Sequence, residues 1–178
     1  MTDRSRIAVL ALLLGVPTAL PAQNIRRSQE AAVRQKVADT WIELRYQRPV
    51  ARGRSPLFGN IVEWGHVWTP GADSATTISV STPIAIENDT LPRGTYSIWT
   101  IADSTGQWTV IFSRTARAWH TRYPGEQHDQ LRVRVTALQG SHMESMAWYF
   151  PAVDGAQATL VMHWGTTYVP LNIRVPTP

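Results

Sequence analysis

Apolar residues recur at every second position along most of this chain, and that period excludes a helical fold before anything else is weighed. Ile42, Leu44 and Tyr46 alternate with Glu43 and Arg45, Ile78 and Val80 with Thr77 and Ser79, and Leu131, Val133 and Val135 with Arg132 and Arg134. Successive side chains of a strand point to opposite faces, so each run describes a half-buried strand with one wet face. Met146, Trp148 and Phe150, then Leu160, Met162 and Trp164, then Val169, Leu171, Ile173 and Val175 continue the pattern. Residues 151–155 and 165–167 read as the turns between them, which predicts an antiparallel meander and, by parity, puts His163 on a wet face. Residues 96–101 and 108–113 flank Asp103-Ser104-Thr105-Gly106, a hairpin turn with Gly where a positive φ is wanted. Both of these strands are apolar on both faces, which places the hairpin centrally. Pro83 and Pro170 are expected at edges or bulges, because proline removes a ladder donor. The fold expected is all-β, an antiparallel β-sandwich, with a closed or flattened β-barrel as the alternative.

The first residues have a different character. Arg4 and Arg6 precede an apolar run over 7–16, and Pro17, Ala19, Pro21 and Ala22 follow, the pattern of a signal peptide cut after Ala22. The run is shorter than the roughly 18 to 20 residues that span a bilayer, and no other segment approaches that length, so no transmembrane segment is expected in the mature chain. Residues 23–32 read as an extended lead-in and 33–176 as one β-sandwich domain, a length sufficient for a sizeable core. The expected localisation is exported, either periplasmic or secreted. With no Cys in the chain, disulfides, thiolate metal sites and Cys nucleophiles are excluded. The pI near 10.0 suggests nucleic acid, yet cleavage leaves fifteen basic against twelve acidic side chains, and the arginines are dispersed rather than clustered in a stripe. Nucleic acid is therefore not expected as a partner.

Two stretches lack strand periodicity: 48–68, rich in Gly, Pro and Arg, and 114–130, longer than the roughly 12 to 15 residues beyond which a loop is usually functional or disordered. Tyr46, Arg48, Pro49, Gly53 and Arg54 form a Y-x-R-P-x-x-x-G-R pattern, followed by Trp64-Gly65-His66-Val67-Trp68 and Gly71-Ala72-Asp73-Ser74-Ala75-Thr76. Leu91, Gly94, Tyr96 and Ser97, then residues 108–111, then Asp129, Leu131, Arg132 and Val133 follow in order. This series resembles the exported bacterial family catalogued as domain of unknown function 2911, over roughly residues 33 to 175. The resemblance implies an exported β-rich domain and names no reaction. Thr69, Asp73 and Ser74 stand where that family typically has Arg, Asn and Glu.

Arg48, Arg52 and Arg54 with Asp73 could bind a carboxylate or phosphate, since guanidinium offers a rigid bidentate fork, or could tie their own loop together. Among Trp41, Trp64, Trp68, Trp99 and Trp119 most read as core, but Trp41 falls on a polar face and Trp119 lies in the long loop beside His120 and Tyr123, where a ring could stack on a sugar. The ligand-binding candidates are Arg48, Arg54, Trp68, Asp73, Thr76, Trp119 and Tyr123. His66, His120, His128, His142 and His163 form no H-x-H or H-x-x-x-H pair, so no metal or other cofactor is expected. Ser74 with His66 and Asp73 is the nearest approach to a triad, without a nucleophile elbow. No carboxylate pair is selected by spacing, so no catalytic residue is assigned. The expected function is a non-catalytic envelope binding module for a small molecule, glycan or protein. The alternatives are an envelope hydrolase with a site around residues 48–76 and a structural accessory of an outer-membrane assembly.

Overall fold

A computed structural model describes residues 27–176. The expected signal peptide, 1–22, and the start of the lead-in lie outside the described residues. Among those described, the strands are β1 (Gln29–Val37), β2 (Thr40–Arg48), β3 (Val67–Trp68), β4 (Thr77–Val80), β5 (Ile84–Ile86), β6 (Asp89–Leu91), β7 (Gly94–Ile101), β8 (Gln107–Ser113), β9 (Asp129–Thr136), β10 (Leu138–Asp154) and β11 (Gln157–Arg174). One antiparallel sheet runs β1-β2-β4-β7-β8-β9, with β3 on the far end of β7, and the other runs β10-β11-β5-β6. The two sheets stack as a sandwich and do not close into a barrel.

Alternation supplies the interior. Ile42, Leu44 and Tyr46 of β2, Ile78 and Val80 of β4 and Val110 and Phe112 of β8 share one buried cluster with Met146 and Trp148 of β10 and Leu160, Met162 and Trp164 of β11. Each such side chain stabilises the fold by roughly 1.5–3 kcal/mol on burial. Phe58, carried in by the irregular 48–66 stretch, meets Trp108 edge-on at 4.8 Å and Trp164 at 6.1 Å, so this stretch plugs one end of the core. The β7–β8 hairpin turns at Gly106, with φ 83°, and sits in the middle of its sheet as its two apolar faces required. Pro170 falls between the last β10 pairing, at Tyr168, and the first β5 pairing, at Ile173, where no ladder donor is needed.

Two expectations are corrected. The C-terminal part has two long strands in place of three, because β11 continues through residues 165–167. Gly165 takes φ 59° there, and register shifts in β10 absorb the irregularity that a turn was expected to make. His163 is buried, 6% exposed, and not on a wet face. Its own hairpin covers it: the rings of Tyr149 and Tyr168 flank it, the Tyr149 hydroxyl lies 3.2 Å from Nδ1, and Nε2 donates to the Ser141 carbonyl at 3.0 Å. Among the described residues no helix is long and apolar enough to cross a membrane.

Candidate functional site

The Tyr-x-Arg-Pro segment leaves the first sheet at the end of β2 and runs against β10, which is an edge strand of the second. Tyr46 Oη accepts the Trp148 N–H at 3.0 Å, and Arg48 donates from Nε to the Met146 carbonyl at 2.8 Å and from Nη2 to the Ser145 carbonyl at 3.3 Å. The Met146 N–H donates to the Pro49 carbonyl and the Ala51 N–H to the Glu144 carbonyl. This is a stitch between sheets. Arg54 follows it as an exposed brace, donating from Nε to the Ala51 carbonyl at 2.9 Å and from Nη2 to the Val50 carbonyl at 2.6 Å. Arg54 ties its own loop through these carbonyls and does not pair with Asp73. Arg48 is committed to the sheet junction, so the two arginines and Asp73 do not converge on one cavity.

Asp73 serves a different contact. Its carbonyl accepts both the His120 N–H at 3.0 Å and His120 Nδ1 at 2.6 Å, and the Ala75 N–H donates to the Ala118 carbonyl. Residues 114–125 are thereby strapped over the outer face of the first sheet. Ala118 and Tyr123 cover Trp99, Ile111 and Ala75 in a small second cluster, with Tyr123 edge-on to Trp99 at 5.5 Å. Tyr123 Oη donates to Asp129 Oδ2 at 2.6 Å, and burial together with that acceptor pushes the phenol up to about 12.

Beside the strap opens a groove of about 430 Å³. Its floor is the outward face of β2 and the start of β4, with Arg45, Gln47 and Thr77; its wall is the strap, residues 116–119. Trp119 is 53% exposed there. Gln47 is buried, yet its Oε1 has no hydrogen-bond partner. Among the described residues, the side chains of Ser74, Thr77 and Arg117 are also without a partner. The groove thus gathers an exposed indole, a cation, an unpaired amide oxygen and unpaired hydroxyl groups, which can hold a ligand that has an apolar face and a polar rim.

A second cleft, about 340 Å³, is bordered by Arg54, Trp64, His142, Glu144 and Trp164. Glu144 accepts His142 Nε2 at 2.8 Å and the Arg52 N–H at 2.7 Å, and these bonds, His142 first, hold its carboxyl below the usual range. Glu144 is therefore satisfied from within the cleft border and Arg54 by its own loop, although Trp164 Nε1 is buried without a partner. The triad suggested by Ser74, His66 and Asp73 is not assembled: His66 contacts the Trp64 carbonyl and Glu63. No group of three metal-ligating side chains occurs among the described residues.

A family model described as "Protein of unknown function (DUF2911)" matches residues 28–173. The chain belongs to the DUF2911 family. No curated protein and no solved structure matches it. In this DUF2911 domain the segment from Thr69 to Thr76 closes on itself. Thr69 Oγ1 donates to the Ile98 carbonyl at 2.8 Å and accepts the Thr76 N–H at 3.2 Å, and Thr76 Oγ1 donates to the Pro70 carbonyl at 2.7 Å. Thr76 is fully enclosed, and Trp68 stacks on Trp164 at 6.1 Å. Of the seven residues singled out in the sequence, Trp119 walls the groove, Asp73 and Tyr123 hold the strap beside it, and Arg54 borders the other cleft. Gln47, Thr77 and Arg117 were not singled out. Parity with Glu43 and Arg45 places Gln47 on the outward face of β2, a usable signal, but nothing local shows that the strap returns to that face.

Proposed function

We propose that this DUF2911 domain is a non-catalytic binding module of the cell envelope that takes a glycan in the groove beside the strap. One observation carries the reading: an indole more than half exposed walls a groove whose floor holds a buried amide oxygen, Gln47 Oε1, without a partner. A sugar ring has a C–H face that stacks on an indole and a rim of hydroxyls that both donate and accept. Such a ligand would cover apolar surface otherwise left in water and satisfy a buried polar group whose isolation costs free energy. The envelope location rests on Arg4 and Arg6 and the apolar run over 7–16 that follows them.

The test is calorimetric titration of the mature protein with a broad oligosaccharide panel, followed by Trp119→Ala and Gln47→Leu. Binding that Trp119→Ala abolishes and Gln47→Leu weakens, with an unchanged circular dichroism spectrum, is the expected result. Glycan binding indifferent to Trp119→Ala would move the site elsewhere, and hydrolysis of a bound oligosaccharide would replace the module with an enzyme.

A further inference from the structure

The strand register sets the outward side chains of β1, β2, β4 and β7 in rows. Arg34 lies opposite Glu43, Glu43 opposite Ser79, and Ser79 opposite Thr95; the next row holds Ala32, Arg45, Thr77 and Ser97, and the one after it Glu30 and Gln47. The groove occupies the last two rows. A shallow depression of about 280 Å³, lined by Arg34, Trp41, Glu43, Ser79, Arg93 and Thr95 among others, occupies the first. The two are neighbours on one face and share β2 as floor. Along β2 the stretch from Trp41 to Gln47, at about 3.3 Å per residue, is about 20 Å long, more than one sugar ring can fill.

Charge along this track is uneven. Arg34, Arg45, Arg93 and Arg117 face two carboxylates, Glu30 and Glu43. Glu43 is taken by Arg45 Nε at 2.7 Å and lies 3.9 Å from Arg34 Nε, while Arg34 rests its guanidinium 4.0 Å over the Trp41 ring. Trp41 therefore presents a held cation at its end of the track, as Trp119 presents an open ring at the other. Arg93 and Arg117 make no ion pair among the described residues. Between the cations stand short hydroxyls, those of Thr77, Ser79 and Thr95.

We infer that the ligand is an extended acidic polysaccharide lying along β2, stacked on Trp119 at one end and paired with Arg34 and Arg93 at the other. The inference rests on the glycan reading above. Sparse cations among hydroxyls match a chain with carboxylates spaced between neutral hydroxyl-bearing carbons. A single-stranded nucleic acid, with a base on every nucleotide to stack, would find one open ring along the track.

The experiment titrates the mature protein with polygalacturonate, alginate and hyaluronan fragments of one to six sugars, with neutral mannan and laminarin fragments of the same lengths, and with oligothymidylate. Binding of at least one acidic series is expected, strengthening with length and weakening with salt. Arg34→Gln and Arg93→Gln should each weaken the longest fragments by roughly two- to fivefold and leave the shortest unaffected. Both residues are exposed, and circular dichroism checks the fold of each variant. Neutral fragments bound as well as acidic ones, or long fragments indifferent to both substitutions, would overturn the track while leaving the groove reading intact where Trp119→Ala still abolishes binding. Oligothymidylate bound as tightly as any uronate would overturn the polysaccharide assignment, and no binding by any sugar would overturn both readings.

Discussion

Removing one oxygen atom from Tyr46 tests whether the stitch between the sheets holds this fold together. Tyr46 is 6% exposed, and its hydroxyl accepts the Trp148 N–H at 3.0 Å. Because β10 is an edge strand, the side of Trp148 facing Tyr46 has no neighbouring strand to offer an alternative acceptor. Phe at this position keeps the ring, opens almost no cavity, and leaves a buried amide alone, at a cost of about 1–3 kcal/mol. For a domain of this size each kcal/mol lowers the melting temperature by roughly 2–4 °C, so Tyr46→Phe should melt about 2–12 °C below the parent. Arg48→Met removes two charge-assisted bonds to the same stretch of β10 and should cost about 1.5–3 kcal/mol. The double variant should lose less than the sum, since each bond holds residues that the other also fixes. Urea titration followed by tryptophan fluorescence reads all three. A Tyr46→Phe protein within about 0.3 kcal/mol of the parent, with strictly additive effects, would refute the stitch as a stabilising device.

Gly165→Ala should destabilise by about 1–2 kcal/mol or more, because φ is 59° and an added Cβ would stand 2.8 Å from Leu57 Cδ1; an unchanged urea midpoint would contradict this. The Tyr123 phenol, raised to about 12, keeps its proton, so its contribution to stability is full below the ordinary phenol value and is lost as pH rises through about 12. Ultraviolet difference titration should find Tyr123 ionising late, and Asp129→Asn should bring it down. The Thr105 hydroxyl and amide hold the Asp103 carboxyl below its ordinary value, so its share of turn stability is present above that value and lost as pH falls through the depressed one. Carboxyl carbon shifts followed by NMR should show Thr105→Val raising it. Mass spectrometry of the protein recovered from its native cell should give an N-terminus at Gln23, and an intact Met1 would refute export by cleavage.

Period-two alternation made most strands legible because it reports only which face is buried. It failed where burial came from somewhere other than the opposite sheet. His163 was placed in water by parity, and the neighbouring rings of its own hairpin enclose it. Gly165-Thr166-Thr167 carries the composition of a turn, and only the register shifts in its partner strand show that the chain runs straight on. Trp41 and Trp119 could be recognised as exposed from parity and loop position, whereas Trp64, 41% exposed, could not. The Tyr46 to Arg54 motif was visible but its role was not, since its side chains bond carbonyls, and a backbone carbonyl has no signature in sequence. The groove was hidden for a related reason: Gln47 and Trp119 are far apart along the chain, and the bridge from Ser74 to Trp119 brings them together.

The interleaving of the two sheets governs how the chain can be assembled. β5 and β6 come from the middle of the sequence, but the strand they join is β11, the last to be made. Tyr46 likewise waits for Trp148, a hundred positions later in synthesis. A chain emerging from its N-terminus therefore has every strand of the first sheet, with Ile42, Leu44, Ile78, Val110 and Phe112 on its inner face, before β10 and β11 exist to cover them. Contacts this distant in sequence slow folding and leave sticky intermediates for longer. No cut between β2 and β10 yields a fragment with a closed core, so a chain ending before β10 would present the inner face of its sheet as an aggregation surface rather than fold as a smaller domain.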